Sequence, residues 1–301
     1  IKSGSIQVVV GTHALIQDTV EFSNLGFAVI DEQHKFGVMQ RAKLRAKGLN
    51  PDVLVMTATP IPRTLSLTVY GDLDISVIDE LPKSRKSVKT GLRTESDRLK
   101  VYDFLREEIR KGRQAYIVYP IIDESEKLDL KSAILHHNIL SKEIFRDLKV
   151  GLIHGKLFWY EIDETIEAFK DKKIDILVST TVIEVGIDIP NATIMIIEEA
   201  QRFGLSQLHQ LRGRVGRGAD QSYCILMAEK LSELSRKRLE VMVETTDGFK
   251  IAETDMRLRG PGEFFGIRQS GELKFSAADL VKDLHLIEKA KEAAFKLVEA
   301  D

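Results

Sequence analysis

Leu25-Gly-Phe-Ala-Val-Ile-Asp-Glu-Gln-His34 decides the fold class: an apolar, β-prone run stops abruptly at two adjacent carboxylates. That layout fits a nucleotide-hydrolysis site at the C-terminal edge of a strand in an α/β sheet. Asp31 suits a Mg²⁺ ion held through water, and Glu32 suits orienting and deprotonating an attacking water. A strand end followed by a solvated acidic turn would use the same two residues. Gln33 and His34, together with arginines far downstream, favour the catalytic reading.

Those arginines lie in Gln210-Leu-Arg-Gly-Arg-Val-Gly-Arg217, where three arginines are spaced by two glycines, a flexible cluster suited to gripping a triphosphate from across a cleft. Arg214 and Arg217 are the expected fingers on the transferred phosphoryl group, and Gln210 accompanies them. Stretches rich in Arg and Gly also serve as solvated basic loops or generic phosphate-backbone contacts. With the acidic pair, the cluster implies an ATP-driven motor using ATP and Mg²⁺.

Such a motor needs a glycine-rich phosphate loop, and no G-x-x-x-x-G-K-[ST] occurs. Gly151-Leu-Ile-His-Gly155-Lys156-Leu157 is one residue too short between its glycines and offers Leu157 where a hydroxyl is needed. The chain starts at Ile1 and reaches the strand-like run Ile6-Gln-Val-Val-Val10 at once, so it is expected to be a C-terminal fragment of a longer protein, inactive alone.

The 301 residues, 43% hydrophobic and 30% charged, suffice for two globular domains. A net charge of −2 neither supports nor excludes DNA, so contact would need a local basic surface. The single Cys224, inside Tyr223-Cys-Ile-Leu-Met227, reads as a buried strand thiol and excludes disulfides within the chain. No apolar stretch approaches membrane-spanning length and no leader is visible, which points to a cytoplasmic enzyme without membrane contact.

Strand-like runs at 6 to 10, 25 to 31 and 53 to 58 give a βαβ rhythm that reads as part of a first lobe, residues 1–82, and Pro82-Lys-Ser-Arg-Lys86 reads as an interlobe linker. A complete second α/β lobe spans 83–228. It has a helix at 101 to 110, a helix at 160 to 170, and buried strands at 115 to 119, 150 to 154, 174 to 178, 193 to 197 and 223 to 227. Residues 229–301 turn helical, at 231 to 245 and 276 to 299.

Three further groups carry candidate chemistry. Thr57 and Thr59 in Val55-Met-Thr-Ala-Thr-Pro-Ile-Pro62 suit reporting the nucleotide state, or simply capping a turn. In Ser179 to Pro190 the hydroxyls suit a nucleic-acid phosphate or a helix cap, and Asp188 suits the nucleotide or a turn before Pro190. Thr12 and His13 suit a DNA backbone or a satisfied polar turn. His136 and His137 read as surface residues rather than metal ligands, and Phe158-Trp-Tyr160 as packing rather than a base-stacking platform.

Gly11 to Leu15, Asp31 to His34, Thr57 to Pro60, Ser179 to Pro190 and Gln210 to Arg217 resemble the motifs of superfamily 2 helicases in their expected order. Gly71 to Asp74, Asp79 to Pro82, Phe203 to His209, and Arg259-Gly-Pro-Gly-Glu263 to Arg268-Gln-Ser-Gly271 resemble the RecG family in particular, and nearly the whole chain is covered. The resemblance implies an α/β fold with a partial first RecA-like lobe, a complete second RecA-like lobe of parallel sheet flanked by helices, and a C-terminal helical hairpin and helix. It implies an ATP-dependent double-stranded DNA translocase that remodels stalled forks and branched recombination intermediates. Branched or duplex DNA would be the partner, the motor a monomer, and single-stranded DNA-binding protein a further partner. His34, Thr57, Thr59, Gly186, Asp188 and Gln210 would then serve nucleotide binding and coupling. Thr12, His13, Thr180, Thr181, Arg257, Arg259, Arg268 and Gln269 would serve DNA binding or translocation; for Arg257, Arg259, Arg268 and Gln269 ordinary loop ordering is the alternative. A transcription-repair coupling translocase and a non-catalytic DNA-binding piece are the competing readings. Gly155-Lys-Leu-Phe-Trp-Tyr160 departs from the family pattern of Gly-Arg/Lys-Met followed by polar residues.

Overall fold

The computed structural model describes residues 1–32, 43–58, 74–78, 80, 82, 85–120, 126–180 and 189–259, with backbone alone at 126–132 and 259, and isolated helical positions between 286 and 297. The chain divides into two compact units, Ile1–Pro60 and Ile61–Asp301.

In the first unit β1 (Phe27–Ile30) pairs in parallel with β2 (Asp52–Val55), Phe27 opposite Asp52 and Ile30 opposite Val55. Alternation is strict: Ala28 and Ile30 are buried, whereas Phe27, Val29 and Leu54 are exposed. The expected strand at 6 to 10 is not formed. No described strand pairs with it, and Val8 and Val10 stay 81% and 94% exposed; a two-strand minimum is needed before apolar β-branched residues settle into a ladder. A 3-10 turn, His13–Ile16, occupies the next stretch instead.

The second unit is built on a six-stranded sheet. Its members are β3 (Lys89–Arg93), β4 (Gln114–Val118), β5 (Val150–Ile153), β6 (Ile176–Ser179), β7 (Ala192–Ile197) and β8 (Tyr223–Met227), in the order β3-β8-β7-β4-β6-β5 and all parallel. Its central strands are apolar on both faces, which is how a sheet sandwiched between helices reads. Ala115, Ile117, Ile194 and Ile196 enter one core with Leu105 and Phe145; Tyr116, Val118, Met195 and Leu226 enter the other with Phe169 and Leu208.

Helix α1 (Arg98–Arg110) buries Val101, Leu105 and Ile109 at helical spacing. Then come α2 (Glu126–Ile139), a π turn at Leu140–Ile144, α3 (Trp159–Lys170), α4 (Leu205–Arg212), α5 (Glu233–Glu244) and α6 (Gly248–Arg259). Ser232 caps α5 through Ser235 N, and Asp247 caps α6 by accepting from Phe249 N. Helix α4 packs on both α5 and α6. The expected 276 to 299 helix falls largely outside the described residues.

Phe158, Trp159 and Tyr160 do not pack into the lobe. They are exposed at the start of α3, Trp159 by 79%, with the Phe158 and Tyr160 rings stacked at 5.5 Å. Capping places them there: Phe158 N donates to Glu161 Oε2 at 2.8 Å, which starts the helix at Trp159 and turns its inward stripe toward Phe169. His136 and His137 are half-buried rather than on the surface. His136 stacks on Tyr119 at 4.9 Å and His137 Nε2 lies 3.2 Å from Val150 O.

Candidate functional site

The acidic pair leaves the sheet of the first unit directly after β1. Asp31 is exposed, and its Oδ1 accepts the Glu32 N–H at 2.8 Å. Glu32 has φ +52, a left-handed backbone that costs any residue with a Cβ energy and is held only where its surroundings demand it. The parallel register matters here. With Ile30 opposite Val55 and Met56 N donating to Ile30 O at 2.8 Å, residues 31 and 32 leave the sheet beside Met56 and Thr57. Asp31, Glu32 and Thr57 therefore share one strand-end edge, the ligand-binding side of an open parallel sheet.

Within the same unit, Thr12 caps the 3-10 turn, accepting from Ala14 N at 3.5 Å, and His13 opens it; both are exposed. His34 and Thr59 lie outside the described residues.

In the second unit the arginine motif straddles a helix end. Leu205, Leu208 and Leu211 bury the inner stripe of α4, and Arg212 falls on that stripe rather than in solvent. At 4% exposure its Nη1 donates to Met242 O at 2.9 Å and Thr245 O at 2.8 Å, closing the carboxyl end of α5. Its Nη2 lies 3.3 Å from His209 Nδ1. Burial, then the Arg212 guanidinium, pushes His209 down to about 4, so the ring is neutral and accepts from Arg212 through Nδ1. Arg212 is thus a strut, a correction to the expected cluster of three ligand-gripping arginines. Its guanidinium satisfies helix-end carbonyls, which removes it from any outward role.

The two other arginines sit on the turn that follows. Gly213 N donates to His209 O and Arg214 N to Leu211 O, Val215 is fully buried, and Gly216 has φ +78. Arg214 is half-buried; Arg217 is exposed, with Nε 3.4 Å from Gly213 O. Gln210 is half-buried on α4. The turn is anchored rather than flexible, because Val215 is locked in the core and a Cβ on Gly218 would lie 2.9 Å from Pro190 O.

Thr180, the residue after β6, is wholly buried, and its Oγ1 has no hydrogen-bond partner among the described residues. Thr181, Gly186, Asp188, Arg268 and Gln269 lie outside the described residues, as does the side chain of Arg259; Arg257 is exposed on α6. Sequence reading missed Arg98 and Glu198, a fork at the ends of α1 and β7: Nη1 donates to Oε1 at 2.7 Å and Nη2 to Oε2 at 3.0 Å. Arg98 also donates to Glu95, whose carboxyl is held below its usual range chiefly by that bond. Glu199, the next residue, has a left-handed backbone, as Glu32 does after β1.

No cluster of three or more His, Cys, Asp or Glu suited to a metal ion occurs among the described residues. A single exposed strand-end carboxylate is nevertheless a donor set that fits Mg²⁺, which keeps most of its waters and takes one or two carboxylates. No helix among the described residues is long and apolar enough to cross a membrane.

A parallel sheet clad by helices on both faces, with an arginine turn beyond α4 and an acid pair ending a separate parallel pair, is the RecA-like fold of superfamily 2 helicases. Three family models match in chain order: DEAD/DEAH box helicase over residues 1–68, Helicase conserved C-terminal domain over 99–219, and ATP-dependent DNA helicase RecG, domain 3, C-terminal over 245–301. Over its whole length the chain is homologous to RecG helicases. It is 55% identical over 301 residues to the ATP-dependent DNA helicase RecG of Synechocystis, covering all of this chain and 36% of that protein. It is 54% identical over 302 residues to that of Bacillus subtilis, covering 44% of it. A structure of RecG bound to a three-way DNA junction superposes with a TM-score of 0.72 at 50% identity, over 95% of this chain and 37% of that one. Yeast Dbp5 bound to RNA and ADP BeF3, at 15% identity and a TM-score of 0.54, shares the fold. The chain therefore spans well under half the length of these RecG relatives.

Proposed function

We propose that this chain is the motor portion of an ATP-dependent double-stranded DNA translocase that remodels stalled forks and other branched DNA in the cytoplasm. The observation that carries the reading is Glu32, held in a left-handed backbone at the carboxyl end of β1, beside Asp31 and Thr57. Residues 1–82 form part of a first lobe, 83–228 the second, and 229–301 the segment coupling closure to movement on DNA.

Asp31 would hold Mg²⁺, and Mg²⁺-ATP as substrate would supply the phosphoanhydride bond whose hydrolysis drives movement. Glu32 orients a water and takes its proton. Arg214 and Arg217 stabilise charge developing on the phosphoryl oxygens, while His34, Thr57, Thr59, Gly186, Asp188 and Gln210 report nucleotide state. Thr12, His13, Thr181, Arg257, Arg259, Arg268 and Gln269 meet the DNA backbone or transmit its movement, and Thr180, wholly enclosed, only transmits it.

Phosphate release stimulated by forked DNA tests this in the full-length protein. Glu32→Gln keeps ATP binding and loses turnover; unchanged turnover would sink the assignment of the base. Turnover by the isolated chain would show that the hydrolytic site is complete without a phosphate loop.

A further inference from the structure

The segment entering β3 is stitched at one point to the arginine turn and at two to the run from that turn into β8. Arg85 Nε donates to the carbonyl oxygen of Gly216 at 2.7 Å, Gln221 Nε2 to Ser87 O at 2.9 Å, and Lys89 N to Ser222 O at 2.9 Å. The backbone N–H of Arg85 in turn donates to Pro82 O at 2.9 Å. The approach is tight. A Cβ on Gly216 would lie 2.7 Å from Val88 Cγ2 and 3.9 Å from Lys86 O, and the φ of +78 is one that only glycine adopts without cost.

Gly216 stands between Arg214 and Arg217, so the orientation of its peptide plane sets where the backbone sends both side chains. A turn carbonyl beside a left-handed residue is outside any helix or strand ladder. A guanidinium donor gives it a charge-assisted bond, about twice as strong as a neutral one.

We propose that Arg85 is a positioning residue: by gripping the Gly216 carbonyl it aims Arg214 and Arg217, and it ties that aim to the path of the polypeptide entering the second lobe. The proposal rests on the reading of Arg214 and Arg217 as charge-stabilising groups. The sequence places Arg85 in the Pro82 to Lys86 stretch expected to join the lobes, so one hydrogen bond couples lobe connection to arginine placement.

Steady-state ATP turnover with forked DNA, in the full-length protein, tests it with Arg85→Ala, Arg85→Lys, Gly216→Ala and Arg217→Ala. Misplacing charged groups by about 1 Å costs up to about a hundredfold, so Arg85→Ala should lower kcat by about tenfold to a hundredfold. The KM for ATP should stay within about twofold, because ground-state binding does not use the aim of the arginines. Arg85→Lys, which keeps a cationic donor, should recover most of kcat. Gly216→Ala should reproduce the kcat-selective loss by a route that leaves Arg85 in place. A normal kcat in Arg85→Ala beside a defective Arg217→Ala overturns the positioning role and leaves the finger reading standing. Normal turnover in both overturns the finger reading itself. A loss in Arg85→Ala confined to KM, or one that lysine does not restore, also overturns the proposal.

Discussion

The guanidinium of Arg212 lies 2.9 Å from the carbonyl oxygen of Met242, and the same nitrogen reaches Thr245 O at 2.8 Å. Replacing Arg212 by Ala strands two helix-end carbonyls in a buried site, which should cost about 2–4 kcal/mol of unfolding free energy. A denaturant titration showing a lower midpoint at constant slope is the expected result. An unchanged midpoint would mean that α5 ends without needing this strut.

His209 makes stability depend on pH. Its folded value of about 4 lies below the ordinary 6.5, so the unfolded chain binds more protons in that window. The contribution is therefore complete above about pH 6.5 and is lost as pH falls toward 4, by up to about 3 kcal/mol. Thermal melts between pH 4 and 7 should show this slope, and His209→Gln should flatten it.

Burial pushes the Cys224 thiol up to about 12, and the side chain is fully enclosed between the sheet and α4. Thiolate is the reactive form, so a colorimetric thiol reagent should not label the native protein and should label it once in denaturant. Fast native labelling would contradict this packing of β8.

Arg217 is exposed, so Arg217→Ala should change stability by less than about 0.5 kcal/mol. Turnover should fall by about 10³ if the residue meets the transferred phosphoryl group as proposed. Comparing kcat with nucleotide affinity separates that outcome from a simple binding defect.

Continuous apolar runs betrayed the second unit's sheet before any coordinates. Ala115 to Tyr119, Thr193 to Ile197 and Tyr223 to Met227 become β4, β7 and β8 within a residue or two, because strands buried on both faces need no alternation. Ile6 to Val10 has the same composition but lacks a partner strand, a long-range fact that local pattern does not contain. That β1 ends just before the acid pair was legible because a strand that stops at charge is unusual. Arg212 and His209 were legible in principle, since 208 and 212, and 205 and 209, are one helical turn apart on a stripe of buried leucines. Arg85 was not: its acceptor lies 131 positions away in sequence, and only the fold brings them together.

The pairing of β3 with β8 carries a consequence for biosynthesis. A strand near the start of this sheet waits for its neighbour until Met227 has left the ribosome, so its backbone edge is unpaired throughout translation of everything between. Premature chain termination anywhere upstream of β8 would release a product with an open sheet flank, a substrate for chaperones and proteases rather than a smaller working enzyme.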